Sequence, residues 1–546
     1  MADVMADRPG CDTRLTGFAP KRFAYLASFL ALTLLAPASA TAADWPQTRH
    51  PAPRLDFTQA QIALADAVRG DPDLAAFYGG NGLQPVFAGP EGAARRDALA
   101  RAVAEAPRHG LPPARYGLPQ ASGNALVDEV ARAALFVRWV NDLTRGLVDP
   151  RRVSSHIKRR PEGRDAGRAL ADFAVAPDPQ AAIDALAPQA PFYLALQRAL
   201  TEGPALIAPP GTPLAPDGLW KPGMRAPALT DLRTRLAVLG FDPGPGPADL
   251  YDADLAAAVT RFQQAAGLAA DGVAGPRTIA RLNGNASDAQ RAILLSMERW
   301  RWLPEDPGAR HVWVNLAEYT TKIIQDGHPI FETRAVVGKA TEDFETPEFS
   351  ENMQYLVFNP AWNVPRSITV REYLPRLRAN RNAVGHIDIV DNRGRVIPRS
   401  QIDFSRYTAA NFPYRMRQKP SDDNALGQVK FLFPNPWSIY LHDTPTRWLF
   451  DQARRAHSHG CIRIQRPLDL AAELLAPQLA DPQASIRATL ARSGEQWVRM
   501  NPTIPVHLVY FTTFPDAEGR LRHVPDVYGR DAALWQALQE AGLGGV

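Results

Sequence analysis

The residues with the clearest capacity for chemistry lie in one stretch of the chain, 438–463. It contains Cys461, a candidate nucleophile, and three histidines, His442, His457 and His459. A cysteine reacts as its thiolate, and with an ordinary pKa of about 8.5 it needs a neighbouring imidazole or backbone dipoles to ionise at neutral pH. The stretch therefore predicts thiol chemistry, with His442 or His459 as the base that activates Cys461.

Alternating residue types predict the strands that carry these groups. Apolar and polar residues alternate up to His442, which predicts a strand with Tyr440 and His442 on one face. Gly460 predicts a turn, and the alternation after it places Cys461 and Arg463 on one face of a further strand. Two such strands would bring the thiol and the imidazole of His442 together.

Zinc binding is an alternative use of the same residues. The three histidines and Cys461 supply enough nitrogen and sulfur ligands for a tetrahedral site. However, His457, His459 and Cys461 share a face only if Gly460 does not interrupt the strand, and glycine favours a turn. The sequence therefore favours thiol chemistry without a metal or other cofactor.

The spacing of these residues is specific to one family. His442, fifteen intervening residues and then Ser458-His459-Gly460-Cys461-Ile462 resembles the signature of the YkuD-type L,D-transpeptidases of bacterial cell walls. The family usually carries Asn two residues after the cysteine, and Arg463 instead resembles its large periplasmic subgroup. The resemblance implies that Cys461 is the nucleophile and His442 its base. Six further residues are predicted to bind the oxyanion or substrate: Gly460, His459, Ser458, Tyr440, Arg463 and Trp362.

The catalytic region is predicted to span 305–515 and to be rich in β-strands. Pro360 and Pro365 stiffen a loop around Trp362, which is similar to a substrate-lining Pro-x-Trp segment of the family, although packing explains it equally well. The polar, Arg-rich segment 371–420 is too long for an ordinary connection and is predicted to be a lid. Residues 516–546 are predicted to form a peripheral C-terminal extension.

Two helical regions are predicted before the catalytic region. Residues 50–203 show helical periodicity and predict a helical scaffold domain. Leu135, Trp139 and Leu143 recur every four residues on one side of a long helix predicted over 126–147. The region resembles the helical region that precedes the catalytic domain in the large periplasmic subgroup. The Pro-rich segment 204–222 predicts a linker. Residues 223–285 predict a bundle of three helices that resembles a peptidoglycan-binding module, with a simple spacer as the alternative.

Composition and the N-terminal segment predict where the chain works. A net charge of +4 gives no indication of a nucleic-acid partner. Residues 1–42 predict a secretory signal because a fourteen-residue apolar run follows Lys21 and Arg22. We expect an exported, periplasmic protein without a stable transmembrane span, an uncleaved inner-membrane anchor being the alternative. Export would leave Cys461 without a second cysteine to form a disulfide.

Together, these patterns predict a multidomain α+β protein: a helical scaffold, a three-helix wall-binding bundle, and a β-rich mixed-sheet catalytic domain with a lid. The resemblance implies 3-3 cross-linking between diaminopimelate residues through a cysteine thioester. Its partners would be peptidoglycan tetrapeptide stems and cell-wall synthases. An L,D-carboxypeptidase, an enzyme that tethers envelope proteins to the wall, and a non-catalytic wall-binding scaffold remain alternatives.

Overall fold

The computed structural model describes residues 57–202, 208–209 and 211–543. Within these residues it confirms the multidomain α+β class, with helices preceding a mixed β-sheet. The predicted signal segment 1–42 and part of the predicted linker 204–222 lie outside the described residues. No helix in the described ranges is both long enough and apolar enough to span a membrane.

The first helical region packs around the long helix predicted from its apolar periodicity. Leu135, Trp139 and Leu143 recur every four residues on that helix, and all three are buried. Asp71 and Asn124 accept hydrogen bonds from free N–H groups at the starts of their helices. The helices are α1 (Gln59–Val68), α2 (Pro72–Gly80), α3 (Ala93–Ala104), α4 (Ala125–Arg145), α5 (Pro150–Val153), α6 (Ala166–Val175), α7 (Pro179–Asp184) and α8 (Pro191–Glu202).

A second, smaller helical unit follows. Its helices are α9 (Leu229–Val238), α10 (Ala253–Ala265) and α11 (Pro276–Leu282), and Leu232, Phe262 and Ile279 lie in its closed apolar core. Ala215, inside the predicted linker, is buried in the same core and exchanges two hydrogen bonds with the Asn283 side chain. The second half of the predicted linker is thus part of the bundle, because an apolar residue and a matching amide hold it there.

Helix α12 (Ala286–Arg301) connects the bundle to the catalytic region and packs against the first helical region. Its Glu298 and Arg301 side chains form a buried ion pair with an N–O distance of 3.2 Å. Glu298 also accepts a hydrogen bond from the backbone N–H of Val148. A buried charge is stable only when it is paired and hydrogen-bonded, so this network fixes the helix against the scaffold.

The catalytic region is built on a mixed nine-stranded sheet, counted over the described residues, in the order β10-β3-β11-β9-β8-β4-β12-β1-β2. Strand β2 also pairs with β3, so the sheet closes on itself. The strands of the chain are β1 (Arg310–Asn315), β2 (Thr320–Gln325), β3 (His328–Gly338), β4 (Phe349–Phe358), β5 (Trp362–Asn363), β6 (Ile387–Val390), β7 (Arg415–Gln418), β8 (Val429–Leu432), β9 (Leu441–His442), β10 (Ala456–Ser458), β11 (Ile462–Ile464), β12 (Gln496–Val509), β13 (Thr513–Pro515) and β14 (Leu521–His523).

The remaining helices lie in the lid or flank the sheet. They are α13 (Arg366–Ile368), α14 (Leu374–Ala379), α15 (Pro467–Leu475), α16 (Pro482–Leu490) and α17 (Arg530–Glu540). In the sheet, Leu441, Ile462 and Phe431 point into the main apolar core. Their neighbours on the same three strands therefore point to the opposite face, where the candidate site lies.

The lid is a folded subdomain rather than a polar loop. It contains a three-stranded sheet in the order β5-β7-β6 and its own apolar core, to which Ile387, Phe412 and Met416 contribute. It begins at Trp362, earlier than the predicted residue 371, because Trp362 pairs with Gln418 across β5 and β7. The lid therefore comprises residues 362–418.

The prediction that the C-terminal extension is peripheral is wrong. The guanidinium of Arg530 lies 2.6 Å from Glu348 and 2.9 Å from Glu345, and is buried. Leu534 and Leu538 of α17 are buried in one cluster with residues of α12. The partners of α17 are distant in sequence, so its own short apolar pattern could not reveal this packing.

The scaffold is attached to the catalytic sheet by Arg159. Its buried guanidinium donates to the Leu508 carbonyl oxygen at 2.6 Å and to Ser350 Oγ at 2.8 Å. Burial lowers the pKa of Arg159 to about 10, so the guanidinium remains charged at neutral pH. Next to it, Ile157 forms a parallel bridge with Glu348.

Candidate active site

Three adjacent strands place the candidate residues on one face of the sheet. Strands β9 and β11 run parallel, with Arg463 opposite His442. The Ile462 N–H donates to the Tyr440 carbonyl, so Cys461 lies beside Tyr440. The alternation that predicted the two strands therefore also predicted which residues share the face.

The Cys461 thiol is held by Tyr440 and Ser438. The backbone N–H and the phenol of Tyr440 lie beside the sulfur, and Sγ lies 3.7 Å from the Ser438 carbonyl oxygen. Burial raises the pKa of the thiol, while the Tyr440 N–H, Lys430 and Arg463 counteract part of that rise. The side chain is partly exposed, so a substrate can reach it.

Ser458 and Gly460 shape the turn that presents the nucleophile. The Ser458 hydroxyl donates to the Cys461 carbonyl at 2.5 Å and accepts from the Gly460 N–H at 3.2 Å. Gly460 has a φ of 110°, a conformation that side chains disfavour. The hydroxyl of Thr346, a residue just before β4, donates to the Gly460 carbonyl oxygen at 2.8 Å and so fixes the turn.

This geometry corrects one expectation about the oxyanion site. The Gly460 N–H is engaged by Ser458, so it is not free to bind an oxyanion. Across the described residues, the Cys461 N–H has no hydrogen-bond acceptor. It is therefore the better candidate donor for a developing oxyanion.

His442 is a neutral imidazole in this structure. Its Nδ1 lies 2.5 Å from the Asp443 carbonyl oxygen, which fixes the proton on Nδ1 and leaves the Nε2 lone pair free to accept a proton. Burial, together with the charges of Arg463 and Lys430, lowers its pKa to about 3. No hydrogen bond joins His442 to Cys461 in the part of the chain that is described.

Asp443 fixes the position of His442. Its carboxylate accepts from the Gln428 N–H at 2.9 Å and lies 2.7 Å from the Arg447 guanidinium. Gly427 has a φ of 57°, and a Cβ there would lie 2.3 Å from this carboxylate. The glycine therefore makes room for the group that anchors the strand carrying His442.

His459 points away from the thiol and contacts the lid. Its Nε2 lies 2.6 Å from the Glu372 carboxylate, and its ring meets Phe344 edge-on at 4.6 Å. Burial lowers the pKa of His459, and Glu372 opposes that shift in part. The neutral ring donates to Glu372, and its geometry does not favour a role as the base for Cys461.

The arrangement of the histidines does not resemble a zinc site. His457 Nε2 bonds the Arg454 carbonyl, whereas His442 and His459 bond Asp443 and Glu372. In the described ranges, no group of three or more His, Cys, Asp or Glu residues could hold a metal ion.

Trp362 links the lid to Cys461 through Tyr440. Its indole lies close enough to the Tyr440 phenol to lower the pKa of that phenol in part, and the phenol lies beside Cys461. Burial and the neighbouring thiol raise the Tyr440 pKa, so the phenol remains a donor at neutral pH. The ring of Trp362 also meets Tyr373 edge-on. Trp362 is thus placed at the site, where it supports Tyr440.

Arg463 faces the loop that follows β9. Its guanidinium donates to Thr446 Oγ1 at 3.0 Å. Burial lowers its pKa, and the nearby thiol opposes this shift. Arg463 therefore contributes positive charge beside Cys461.

Four residues of the site were not found from the sequence. They are Lys430, Asn435, Ser438 and Glu372, which contact the site from β8, from the turn before β9 and from the lid. Asn435 is the one with a local signal, since Asn-Pro marks a turn, and its side chain accepts from the Ile439 N–H. Ser438 has a φ of 56°, a conformation not apparent from the residue type. Lys430 and Glu372 become neighbours of the site only through strand pairing and lid folding.

The β-rich region of the chain matches a known protein family. Residues 309–482 match the YkuD family, described as "L,D-transpeptidase catalytic domain". The chain contains a YkuD domain. Cys461 and His442 both lie inside the matched range.

The two helical units also match known families. Residues 72–200 match the family described as "Scaffold domain", and residues 225–282 match "Putative peptidoglycan binding domain". The expected combination of a YkuD domain with a peptidoglycan-binding module is therefore confirmed. The boundaries drawn from the sequence remain predictions.

A curated relative from Haemophilus influenzae is named "Putative L,D-transpeptidase". It is 32% identical over 250 residues, which are 45% of this chain and 50% of the relative. The chain thus spans about half the length of this relative.

Two solved structures with detectable likeness are an L,D-transpeptidase from Xylanimonas cellulosilytica and one from Stackebrandtia nassauensis. The first is 17% identical, covers 55% of this chain and 100% of its own, and has a TM-score of 0.15. The second is 17% identical, covers 55% of this chain and 97% of its own, and has a TM-score of 0.20. Scores this low do not define a shared fold.

Proposed function

We propose that this protein is an L,D-transpeptidase that forms 3-3 cross-links in bacterial peptidoglycan through a thioester on Cys461. The observation that carries the proposal is the pairing of β9 with β11 inside the matched YkuD domain. It sets a partly exposed thiol beside a donor N–H and phenol of Tyr440, with a neutral imidazole on the same face. These are the components that nucleophilic acyl transfer requires.

In the first step, the Cys461 sulfur attacks the carbonyl carbon at the L-centre of diaminopimelate in a tetrapeptide stem. A carbon–sulfur bond forms, and the amide bond to the terminal D-Ala breaks. The thiol proton passes to His442 Nε2 and then to the departing amine. The N–H of Cys461 binds the oxyanion while the tetrahedral intermediate exists.

In the second step, the side-chain amine of a second stem attacks the thioester. A new amide bond forms, the carbon–sulfur bond breaks, and the proton lost by the amine returns to the thiolate through His442. The thioester preserves the acyl transfer potential of the old peptide bond, so the exchange needs no nucleotide.

The lid supports transfer to an amine rather than to water. Its Trp362 and Glu372 contact Tyr440 and His459, so the lid lies directly over the nucleophile turn. Exclusion of water would favour the amine in the second step. Hydrolysis would make the protein an L,D-carboxypeptidase, and a protein amine as acceptor would make it a wall-tethering enzyme.

We propose that the bundle binds peptidoglycan and that the protein works outside the cytoplasm, in the periplasm. The match of residues 225–282 to a peptidoglycan-binding family supports the first point. The wall substrate and the signal-like residues 1–42 support the second. Cell-wall synthases are the partners proposed to supply new strands.

Mass spectrometry with tetrapeptide-bearing muropeptides tests the enzymatic proposal. The full chain should gain the mass of an acyl group on Cys461, and products should include a 3-3 cross-linked dimer. The Cys461→Ala variant should show neither. Release of D-Ala without dimers would support the carboxypeptidase, and wall binding with no adduct in the wild type would support the non-catalytic scaffold.

Sedimentation with purified sacculi tests the role of the bundle. The bundle has a closed core of its own, which starts at Ala215, so a chain lacking residues 215–283 should retain thioester formation on soluble muropeptides but bind sacculi more weakly. Undiminished binding would instead assign the bundle to a spacer role.

A further inference from the structure

Lys430 is a buried, charged residue beside the thiol, and the mechanism above does not use it. It lies on β8, where its neighbours Val429 and Phe431 are fully buried in the main core. Lys430 therefore extends to the opposite face, which carries Cys461, and only 8% of it is exposed. A lysine this buried is rare unless a specific interaction compensates for its desolvation.

Strand register places Lys430 in a row of basic residues. Lys430 pairs with His442 across β8 and β9, and His442 pairs with Arg463 across β9 and β11. Directly paired residues on adjacent strands project to the same face. Lys430 and Arg463 thus flank a neutral imidazole on the face that holds the Cys461 thiol.

The Lys430 ammonium also packs on the ring that contacts the thiol. Its Nζ lies 4.1 Å from the centroid of the Tyr440 ring, within range of a cation–π interaction. Tyr440 in turn lies beside the sulfur. No carboxylate in the described ranges lies within ion-pair distance of Lys430, so its charge is not neutralised locally.

We propose that Lys430 is an electrostatic positioning residue that stabilises the thiolate of Cys461 and keeps Tyr440 against it. This inference rests on the proposed role of Cys461 as nucleophile. It explains how a thiol in a site whose histidine is neutral can still ionise. An ammonium and a thiolate stabilise each other across the Tyr440 ring, whereas either charge alone would be costly to bury.

The direction of the pKa shifts agrees with this pairing. Burial lowers the pKa of Lys430, and the charges of Cys461 and Glu495 oppose that shift. Lys430 in turn lowers the pKa of Cys461. The ionisable groups that act on this pair are Tyr440 and His442 on the β9 side, Arg463 on β11, and Glu495 before β12.

Alkylation of Cys461 by iodoacetamide as a function of pH tests the proposal on the full chain. We expect the Lys430→Met variant to raise the midpoint of the rate profile by about one pH unit, which leaves about tenfold less thiolate at neutral pH. The rate plateau at high pH should be preserved. Lys430→Arg should restore most of the wild-type midpoint, and Lys322→Met, a lysine change on β2, should leave it unchanged.

A midpoint in Lys430→Met within about 0.3 pH units of wild type would overturn the proposal, since loss of a neighbouring charge must move the thiol pKa. A shift of equal size in Lys322→Met would overturn it too. If circular dichroism shows that Lys430→Met is unfolded, Lys430→Gln provides the second neutral variant, with the same shift expected.

Muropeptide turnover separates this inference from the proposed function. A shifted midpoint without any cross-linked product from the wild-type chain would reject the transpeptidase and retain the role of Lys430. Normal product with an unshifted midpoint would reject the role of Lys430 and retain the transpeptidase.

Discussion

The Nε2 of His459 lies 2.6 Å from the carboxylate of Glu372, which joins the turn before the nucleophile to the lid. The two residues come from separate elements, the Cys461 turn and the short helical segment after β5. The histidine of the signature motif is therefore directed at the lid.

We predict that Glu372→Gln loosens the lid. The contact is partly exposed, so its loss should cost only about 0.5–1 kcal/mol and speed tryptic cleavage after Arg376 or Arg378 by about two- to fivefold. Glu332→Gln, which alters a surface pair with Lys322, is the matched control. Equal cleavage rates in wild type and Glu372→Gln would show that this contact does not hold the lid.

We predict that His442 matters far more than His459 for acylation. His442→Ala should slow thioester formation about 10²- to 10⁴-fold, because it removes the proton acceptor, whereas His459→Ser should cost much less. Stopped-flow or quenched mass measurements near neutral pH, with folding confirmed, compare the two. A larger loss in His459→Ser would reverse the assignment.

The neutral state of His442 leads to a prediction about how the acylation rate depends on pH. Because its pKa is lowered to about 3, acylation by the wild-type chain should show no loss attributable to His442 between about pH 5 and 7. If the acylation rate of the wild type falls below about pH 6.5 and this fall is absent from a His442 variant with residual activity, His442 is not neutral in that range.

Arg159 is predicted to be important for stability. Arg159→Met should leave the carbonyls of Phe349 and Leu508 without their donor and lower the free energy of unfolding by about 2–4 kcal/mol. Arg160→Met, its exposed neighbour, should change it by less than about 0.5 kcal/mol. Chemical denaturation followed by tryptophan fluorescence measures both, and equal effects would reject the interdomain role.

Acid should destabilise the fold through buried histidines. The pKa of His507 is lowered to about 3 because burial disfavours its charged form, and the unfolded chain would bind that proton near pH 6.5. The stability is fully present above about pH 6.5 and is lost as pH falls toward 3, by about 2 kcal/mol for each such group at pH 5. The same direction applies to His109, His442 and His523.

Calorimetry at two pH values checks this linkage. The melting temperature of the wild type should fall between about pH 7.5 and 5, and His507→Gln should fall less because it loses one titrating group. Identical pH dependence in the two proteins would exclude His507 as a source of acid sensitivity.

Local pattern predicted much of the sheet around the nucleophile. The strand alternation at Tyr440 and His442 and the glycine turn before Cys461 were visible because strand periodicity and glycine conformation are properties of neighbouring residues. The apolar residues that recur every four positions from Leu135 likewise predicted the long helix α4.

Long-range partners were not predictable in this way. Lys430 reaches the thiol only because β8 pairs with β9, and Glu372 reaches His459 only because the lid folds over the turn. Arg530 lies in the segment that was predicted to be peripheral. It is fixed in place by Glu345 and Glu348, which are far away in the sequence. A single sequence carries no local signal for such pairings.

The apolar cluster shared by Ile157, Leu294 and Leu534 has a consequence for how the molecule melts. These residues belong to the scaffold, to α12 and to α17, so heat cannot expose the cluster in one region without disrupting the others. The core of the bundle, by contrast, is built from residues between Ala215 and Leu282 alone. The scaffold and the sheet region should thus unfold in one calorimetric transition and the bundle in another, so the bundle can lose its fold while the rest of the molecule stays folded.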